Sequence, residues 1–367
     1  MYLSKCPLKL EILTPGNPKW CEVLSILPHD IYHTPGYLVL ESKKYGAVPE
    51  AFLLSDGDKY FFLPYLVREI NDLPFEHSCF SSKQFDIVSP YGYPGILTNM
   101  NREDSSFFEI AIEQFKEEMA KRSIQSAFIR LHPILNENLY HSRFLEYCHL
   151  SGETVSVNLQ LSEKEIWSQT RKDQRNKINK CKRLGMTAKV VDFQDEIATF
   201  MDIYHETMNR VNAKEFYYFN SDYFRELAIN LEGKLFLCLV EYESQYISAG
   251  IYSECCGIVQ GVLGGTRTRF LKQSPTSLET DFVRLWAKQR GNRFLHLGGG
   301  LGGSQDSLFK FKSGFSKQRH NFLTMRIVPD QEKYQFLVRL RADQLNLPLE
   351  SLMNSRFFPA YRAAAGL

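Results

Sequence analysis

The sequence lacks the residue spacings by which disulfide frameworks and zinc sites are recognised. Its eight cysteines are scattered along 367 residues without a C-x-x-C pair, which is typical of free, buried thiols. None of the nine histidines falls into the H-E-x-x-H pattern, and His132, directly before Pro133, is interpreted as a structural or pocket-wall residue. We therefore expect no metal.

Long apolar runs and an excess of one charge sign are also missing. The first 20 residues contain no basic segment leading into an apolar one, and no later stretch approaches the roughly 18 apolar residues of a membrane span. Lysine and arginine number 44 against 42 acidic residues, a net charge of +2, so no whole-chain field attracts nucleic acid or membrane. We expect a cytoplasmic protein without a transmembrane segment, whose charged partners are recognised by local basic clusters.

The chain is long enough for two domains, and both halves alternate strand-like and helix-like segments. In the first half, the turn at Asp56 and Gly57 separates two strand-like runs, and residues 105–122 have helical spacing. The second half is predicted as strand, helix, strand, two helices, three strands, helix and strand, with Ser162 and Glu165 forming a capping box. We predict domains at 1–150 and 151–330, with a tail at 331–367 that packs back on the first half.

Several segments of the second half resemble one known family. They are WSQTRKDQRNKINK, GMTAKVV, YHETMNRV, FYYFNSDYF, HLGGG and LFKFKSGFS, between residues 155 and 320, and SPYGYPGIL at 89–97 adds a weaker match. Together they resemble the Fem family of peptidoglycan bridge-forming aminoacyltransferases and its FemAB-like relatives in the GNAT acyltransferase superfamily. The resemblance implies an α/β (α+β) fold of two tandem GNAT-like halves, each a mixed central sheet flanked by helices.

The activity implied by this resemblance is an acyl- or aminoacyl-transferase. It would form an amide on an amino group of a cell-envelope precursor (peptidoglycan or polysaccharide) or of a nucleotide-linked sugar. An amine from the substrate attacks an activated acyl carbonyl, so no Ser/His/Asp triad is required. A non-enzymatic FemAB-like module that binds a sugar nucleotide or nucleic acid stays open as an alternative.

Gly298, Gly300 and Gly303 spell G-x-G-x-x-G, the letters of a dinucleotide-binding loop. Such a loop needs a full crossover helix and an acidic residue about 20 positions on, whereas position 320 is a histidine. No G-K-[ST] follows either, which excludes a phosphate P-loop. We interpret the glycines, in particular Gly299 and Gly300, as clearance for a substrate.

Lys312 lies in the segment FKFKSGFS, and the resemblance places a lysine of this segment at the acyl-transfer site. There a fixed cation would stabilise negative charge that develops on the carbonyl oxygen or the negative charge of the donor's phosphate. The alternative is a solvated helix face with Phe309, Phe311 and Phe315 on its core side. We expect Lys310 to contribute much less than Lys312.

The helix predicted over Arg171–Arg183 carries seven cations in 13 residues, among them Arg175. It either contacts a phosphate-bearing partner such as a nucleotide-linked acceptor, a polyprenyl pyrophosphate or tRNA, or is a solvated face. The resemblance assigns acceptor binding to Arg210, and Tyr217 and Tyr218 beside it offer rings and hydroxyls. Tyr91 and Tyr93 are expected to line the same cleft.

The donor site departs from the usual acetyl-CoA pattern. Before the helix that starts at Pro275 there is no [QR]-x-x-G-x-[GA] turn, but Arg267, Arg269 and Lys272 are present and are predicted to bind donor phosphates. Acyl-CoA and aminoacyl-tRNA both remain open as donor substrates, and the acceptor is expected to be a small molecule.

Overall fold

The computed structural model describes residues 8–71, 73, 83–100, 105–139, 143–231 and 233–364. The chain divides into two compact units. The first unit comprises Met1–Leu150 together with Phe322–Leu367, and the second comprises Ser151–Asn321.

The N-terminal part of the first unit contains six strands and three helices in the described residues. They are β1 (Lys9–Leu13), α1 (Pro18–Ile26), α2 (Pro35–Tyr45), β2 (Val48–Asp56), β3 (Lys59–Glu69), β4 (Phe85–Val88), β5 (Leu97–Thr98), α3 (Ser105–Lys121) and β6 (Ile124–Arg130). Local sequence sets their ends: the Asn17 side chain accepts a hydrogen bond from the Lys19 amide before Pro18 begins α1, and Gly46 ends α2 in the left-handed conformation. Both are common helix boundaries.

Strands of the first unit follow the order β1-β2-β3-β4-β6. The pairs up to β4 are antiparallel, and β4 pairs with β6 in parallel after the crossover through α3. Aromatic rings fill the core beneath α3, where Phe115 lies edge-on to Phe52 at 5.2 Å. Helix α3 therefore covers a sheet that is mainly antiparallel.

The second unit starts within β7. Its elements are β7 (Cys148–Asn158), α4 (Glu163–Gln169), α5 (Lys172–Arg183), β8 (Thr187–Asp192), α6 (Ile197–Arg210), α7 (Ser221–Asn230), β9 (Leu235–Tyr242), β10 (Gln245–Cys255), β11 (Ile258–Thr266), α8 (Pro275–Gln289), β12 (Phe294–Gly298) and α9 (Ser307–Lys312). The predicted capping box is present, because the side chain of Ser162 accepts from the Glu165 amide and that of Glu165 from the Ser162 amide.

Strands of the second unit follow the order β7-β12-β11-β10-β9-β8. The β11–β12 pair is parallel and is connected by α8, whereas the other pairs are antiparallel. Helix α8 packs on β8 to β12 and α6 packs on β10 and β11. The predicted fold class, α/β with a mixed sheet flanked by helices, is confirmed.

The chain then returns to the first unit through β13 (Arg319–Ile327), α10 (Gln331–Leu345) and α11 (Leu349–Met353). Strand β13 pairs antiparallel with β6. Near the C-terminus, the Tyr361 hydroxyl lies 2.6 Å from the Ser126 hydroxyl, and the Arg362 guanidinium bonds to Asp86. Over the described ranges, no helix combines the length and the apolar character that crossing a membrane requires.

Candidate active site

Strands β11 and β12 separate soon after they begin. They pair only through Ile258–Gln260 and Phe294–His296. Just beyond this point, Val262 is an extra residue in β11, since Ile251 of β10 pairs with Leu263 and Tyr252 with Gly261. A β-bulge of this kind bends a strand. The pairing therefore stops before the carboxyl ends of these two parallel strands, the place where open α/β sheets bind ligands.

A cavity of about 170 Å³ lies at the end of β11 and the start of α8. Its wall includes Lys177 from α5, Thr266 from β11, Ser274, Thr276 and Ser277 around the start of α8, and Phe311 from α9. The N-terminus of a helix attracts anions through its unpaired N–H groups and its dipole. Lys177 also lines the pocket, and its ammonium group lies 3.8 Å from the Asp173 carboxylate. A helix N-terminus with a lysine beside it suits a phosphate group.

Helix α9 connects this pocket to the end of β12. While Phe311 lines the pocket, the Lys312 ammonium group donates a 2.7 Å hydrogen bond to the carbonyl oxygen of Gly299. Burial lowers the pKa of Lys312 to about 8, against the opposing effect of Asp306. The predicted catalytic lysine is therefore held at the glycine segment and remains mostly protonated at neutral pH.

The glycines themselves make room for the protein's own backbone. A β-carbon on Gly299 would lie 2.7 Å from the Glu153 carbonyl oxygen, and one on Gly300 would lie 2.0 Å from that of Ser304. The expectation that Gly299 and Gly300 clear space for a substrate is therefore corrected: the chain already occupies that space.

The dinucleotide interpretation also fails on geometry. Helix α9 has six residues, and the carboxylate of Asp306 occupies its N-terminus by accepting from the amides of Leu301 (3.0 Å) and Phe309 (2.9 Å). An anion of the protein thus takes the position that a pyrophosphate would need.

The three cations predicted to bind donor phosphates differ in their surroundings. Arg267 is bonded to the carboxylates of Asp202 and Glu206, which neutralise its charge, so the assignment of Arg267 to a free phosphate site is corrected. Arg269 and Lys272 are exposed. The guanidinium of Arg269 lies 5.5 Å from the centre of the Phe270 ring.

The side chain of Arg210 contacts the end of β11, next to the pocket. Its guanidinium donates to the carbonyl oxygen of Thr266 at 2.8 Å and to the Thr268 hydroxyl at 3.0 Å, which fixes the end of β11. Tyr217 and Tyr218 follow α6: the Tyr217 carbonyl accepts from a buried tyrosine, and Tyr218 is exposed. Neither tyrosine is part of the described pocket wall.

The remaining predicted binding residues lie on α5 and in the first unit. Arg175 is half-buried, two positions before the pocket residue Lys177. Tyr91 and Tyr93 belong to the first unit, where the Tyr93 ring packs edge-on against Phe322 at 5.2 Å and Tyr32 at 6.0 Å. A substrate role for these residues stays a prediction.

Sequence reasoning missed a buried carboxyl group on α8. Glu279 is 3% exposed and accepts hydrogen bonds from the hydroxyls of Ser248 (2.6 Å) and Tyr252 (2.9 Å), both on β10. Burial raises the pKa of Glu279 to about 7. One signal in the sequence could have revealed it. Glu279 is an acidic residue close to Leu278 and Val283, which are core-facing positions of the predicted amphipathic helix.

Comparison with known sequences agrees with those of the segments named above that lie before residue 255. Residues 153–255 match the sequence model of the FemAB family, so the resemblance is confirmed for this part of the second unit. No curated protein is significantly similar to the chain in sequence.

Solved structures share the fold over nearly the whole chain. FemX is 12% identical, with a TM-score of 0.67, and the match covers 89% of this chain and 99% of FemX. L-PGS from Bacillus licheniformis is 14% identical, with a TM-score of 0.51, covering 92% of this chain and 98% of L-PGS. The chain thus has a FemX-like fold, and a segment of its second unit is similar to the FemAB family.

Proposed function

We propose that this chain is an aminoacyltransferase that forms an amide on an amino group of a cell-envelope precursor or nucleotide-linked sugar. The observation that carries the proposal is the separation of β11 and β12, which has a phosphate-sized pocket at one strand end and Lys312 at the other. The FemAB match over residues 153–255 and the FemX-like fold support it.

The geometry suggests a role for each end of the gap. The start of α8 and Lys177 hold a phosphate of the donor, which positions the activated acyl carbonyl between the strands. The ammonium group of Lys312 stabilises the oxyanion that forms when the amine attacks. An ammonium group has three N–H donors, and its bond to the Gly299 carbonyl uses one of them.

For the donor we propose aminoacyl-tRNA. Helix α5 contributes Lys177 to the pocket wall and exposes Lys172, Lys180 and Arg183 along the rest of its length. An extended row of cations suits a polyphosphate backbone better than the single pyrophosphate of coenzyme A. The sequence before α8 also lacks the paired glycines of an acetyl-CoA turn.

The test is a transfer assay followed by mass spectrometry. The protein is incubated with aminoacyl-tRNA or with acyl-CoA, and with acceptors that are a UDP-linked peptide precursor or a UDP-linked amino sugar. We expect an amide product with aminoacyl-tRNA, which forms much more slowly in Lys312→Met. Product only with acyl-CoA would overturn the donor, and binding without product would favour the binding-module alternative.

A further inference from the structure

A chain of hydroxyl groups leads from the pocket at the start of α8 into the protein interior. Thr276 and Thr266 line the pocket, and their hydroxyl oxygens are 2.8 Å apart. The Thr266 hydroxyl lies 3.3 Å from that of Ser248, which donates to Glu279 at 2.6 Å. The chain therefore ends on a buried carboxyl group.

The directions of these bonds are mutually consistent. Because Ser248 donates to Glu279, its oxygen is available to accept from Thr266, and Thr266 in turn can accept from Thr276. Each hydroxyl can then pass its proton inward while it receives another from the pocket side. The 3.3 Å step from Thr266 to Ser248 is the longest in the chain.

The sheet leaves space for the side chain of Glu279. A β-carbon at Gly250, on the facing strand β10, would lie 2.1 Å from the Glu279 carboxylate, so any larger residue there would displace the acid from its present position. A buried carboxylate is costly unless it is paired with a cation or fully hydrogen-bonded. Within the described ranges, no cation forms an ion pair with Glu279, and stability alone gives no reason for an acid here.

We propose that Glu279 is the proton acceptor of the transfer reaction. The proton that the attacking amine releases enters at Thr276, beside the donor phosphate, and passes through Thr266 and Ser248 to Glu279. This inference rests on the proposed function. An alkylammonium substrate carries three N–H protons, and the amide product keeps one. The first proton leaves the nitrogen, reaches Glu279 and later returns to solvent by the same path. The nitrogen lone pair that this frees forms the bond to the acyl carbon, and as the ester C–O bond breaks, a second proton passes from the nitrogen to the departing carrier oxygen.

The surroundings of Glu279 permit this exchange near neutral pH. With a pKa of about 7, the carboxyl group can both accept and release a proton. The titratable groups that face it are Tyr252 on β10 and Cys238 on β9, and burial raises the pKa of both well above their usual values. Both therefore stay neutral around pH 7, and the Glu279→Gln variant identifies which titration belongs to Glu279.

Three variants test the path by the pH dependence of kcat/KM. Glu279→Gln and Ser248→Ala should lower the rate about ten- to a hundredfold, within the usual range for general base catalysis, and should remove the loss of activity below pH 7. Tyr252→Phe is the matched control, since it removes the other hydrogen bond to the same carboxylate but lies outside the path. It should keep the plateau rate within about threefold and move the acid limb to higher pH, because the carboxylate loses a donor. An unchanged acid limb in Glu279→Gln, or equal losses in Ser248→Ala and Tyr252→Phe, would overturn the proposal.

A pH-jump infrared measurement makes the inference testable apart from the proposed function. The wild-type protein should show a carboxyl band that titrates near pH 7 and is absent in Glu279→Gln. Its protonation should be at least tenfold slower in Ser248→Ala than in Tyr252→Phe. Equal protonation rates would refute the path even if the protein transfers acyl groups, whereas a slow Ser248→Ala variant with no transfer activity would refute only the proposed function.

Discussion

A parallel strand pair joined by a helix occurs in each unit, and the two pairs end differently. In the first unit, β4 and β6 remain connected beyond their last paired residues: the Ser89 amide donates to the Phe128 carbonyl at 2.9 Å, and the Gly95 amide to that of Arg130 at 2.9 Å. In the second unit, β11 and β12 separate after Gln260 and His296. The end of the β4–β6 pair, which is bridged by backbone hydrogen bonds, is called the closed end. The end of the β11–β12 pair, where pairing stops, is called the open end.

The closure in the first unit depends on one loop, residues 89–97. The Asn136 side chain bridges it to the end of β6, since its oxygen accepts from the His132 amide at 2.8 Å and its nitrogen donates to the Ile96 carbonyl at 2.6 Å. The second unit has instead a bulge at Val262, and a pocket lies at the end of β11 and the start of α8. We infer from this difference that the end of the parallel pair that backbone bonds do not fill is the candidate ligand site.

The largest effect is expected at the open end, from Lys312→Met. Removal of one preorganised charge from a transition state should lower kcat about ten- to a thousandfold, while the melting temperature stays nearly unchanged because a partly desolvated ammonium group contributes little net stability. Steady-state kinetics and thermal melts check both. Lys310→Met is the matched control: Lys310 is exposed on the same helix, and an equal loss there would refute the assignment.

The same lysine predicts a direction for the alkaline pH dependence. The reaction requires the protonated ammonium group, and the pKa of Lys312 is about 8, so kcat should fall as the pH rises through 8. A lysine acting as a base would give the opposite slope. Lys312→Met should remove this alkaline limb.

The closed end is expected to respond in stability. Gly95 has a φ of +63°, and a β-carbon there would lie 2.6 Å from the His132 amide nitrogen. Gly95→Ala should therefore destabilise the protein by about 2 kcal/mol or more, through strain and loss of the loop bonds. Gly264→Ala is the control, because its new β-carbon would meet the Ala249 carbonyl at an ordinary 3.4 Å. Equal melting temperatures for the two variants would show that loop closure contributes little.

Donor binding should depend on Lys177 more than on its helix neighbours. Loss of a charge-assisted contact to phosphate is worth about 1.4 kcal/mol or more, so Lys177→Met should raise the KM for the donor about tenfold with little change in kcat. The exposed Lys172, outside the pocket wall, is the control. Equal changes in both variants would mean that α5 acts only through its overall charge.

The smallest effect is expected at Arg267, which the sequence alone had placed at the donor phosphate. Its two carboxylate partners lie at a partly exposed surface, where ion pairs contribute about 0–1 kcal/mol. Arg267→Met should therefore change stability by less than about 1 kcal/mol and the donor KM by less than about threefold. A tenfold rise in KM would restore the phosphate role.

Local features of the fold could be predicted from the sequence. The Ser162 and Glu165 capping box, the helix start at Pro275 and the strand–helix order of the second unit depend on neighbouring residues, which periodicity and capping patterns report directly. The position of Lys312 beside the glycine segment could also be predicted, because only a short loop separates the glycines from α9.

The features that decide the site depend on contacts between distant residues. The carboxylate partners of Arg267 come from a helix more than 60 residues earlier, and charge alone gave no hint of that neutralisation. The separation of β11 and β12 follows from the position of a bulge, which strand propensity does not fix. The hydroxyl path to Glu279 joins two strands and a helix, so none of its spacings forms a sequence motif.

Hydrogen–deuterium exchange with mass spectrometry tests most directly whether the open strand pair is the ligand site. Uncharged tRNA is used as an unreactive stand-in for the donor, and exchange is followed in the wild-type protein and in Lys177→Met. We predict slower exchange in residues 171–183 and 264–280, weakened in Lys177→Met, with no change at residues 89–97 or 124–136. Protection at residues 89–97 without protection at 264–280, or no protection by tRNA in the wild-type protein, would contradict the account.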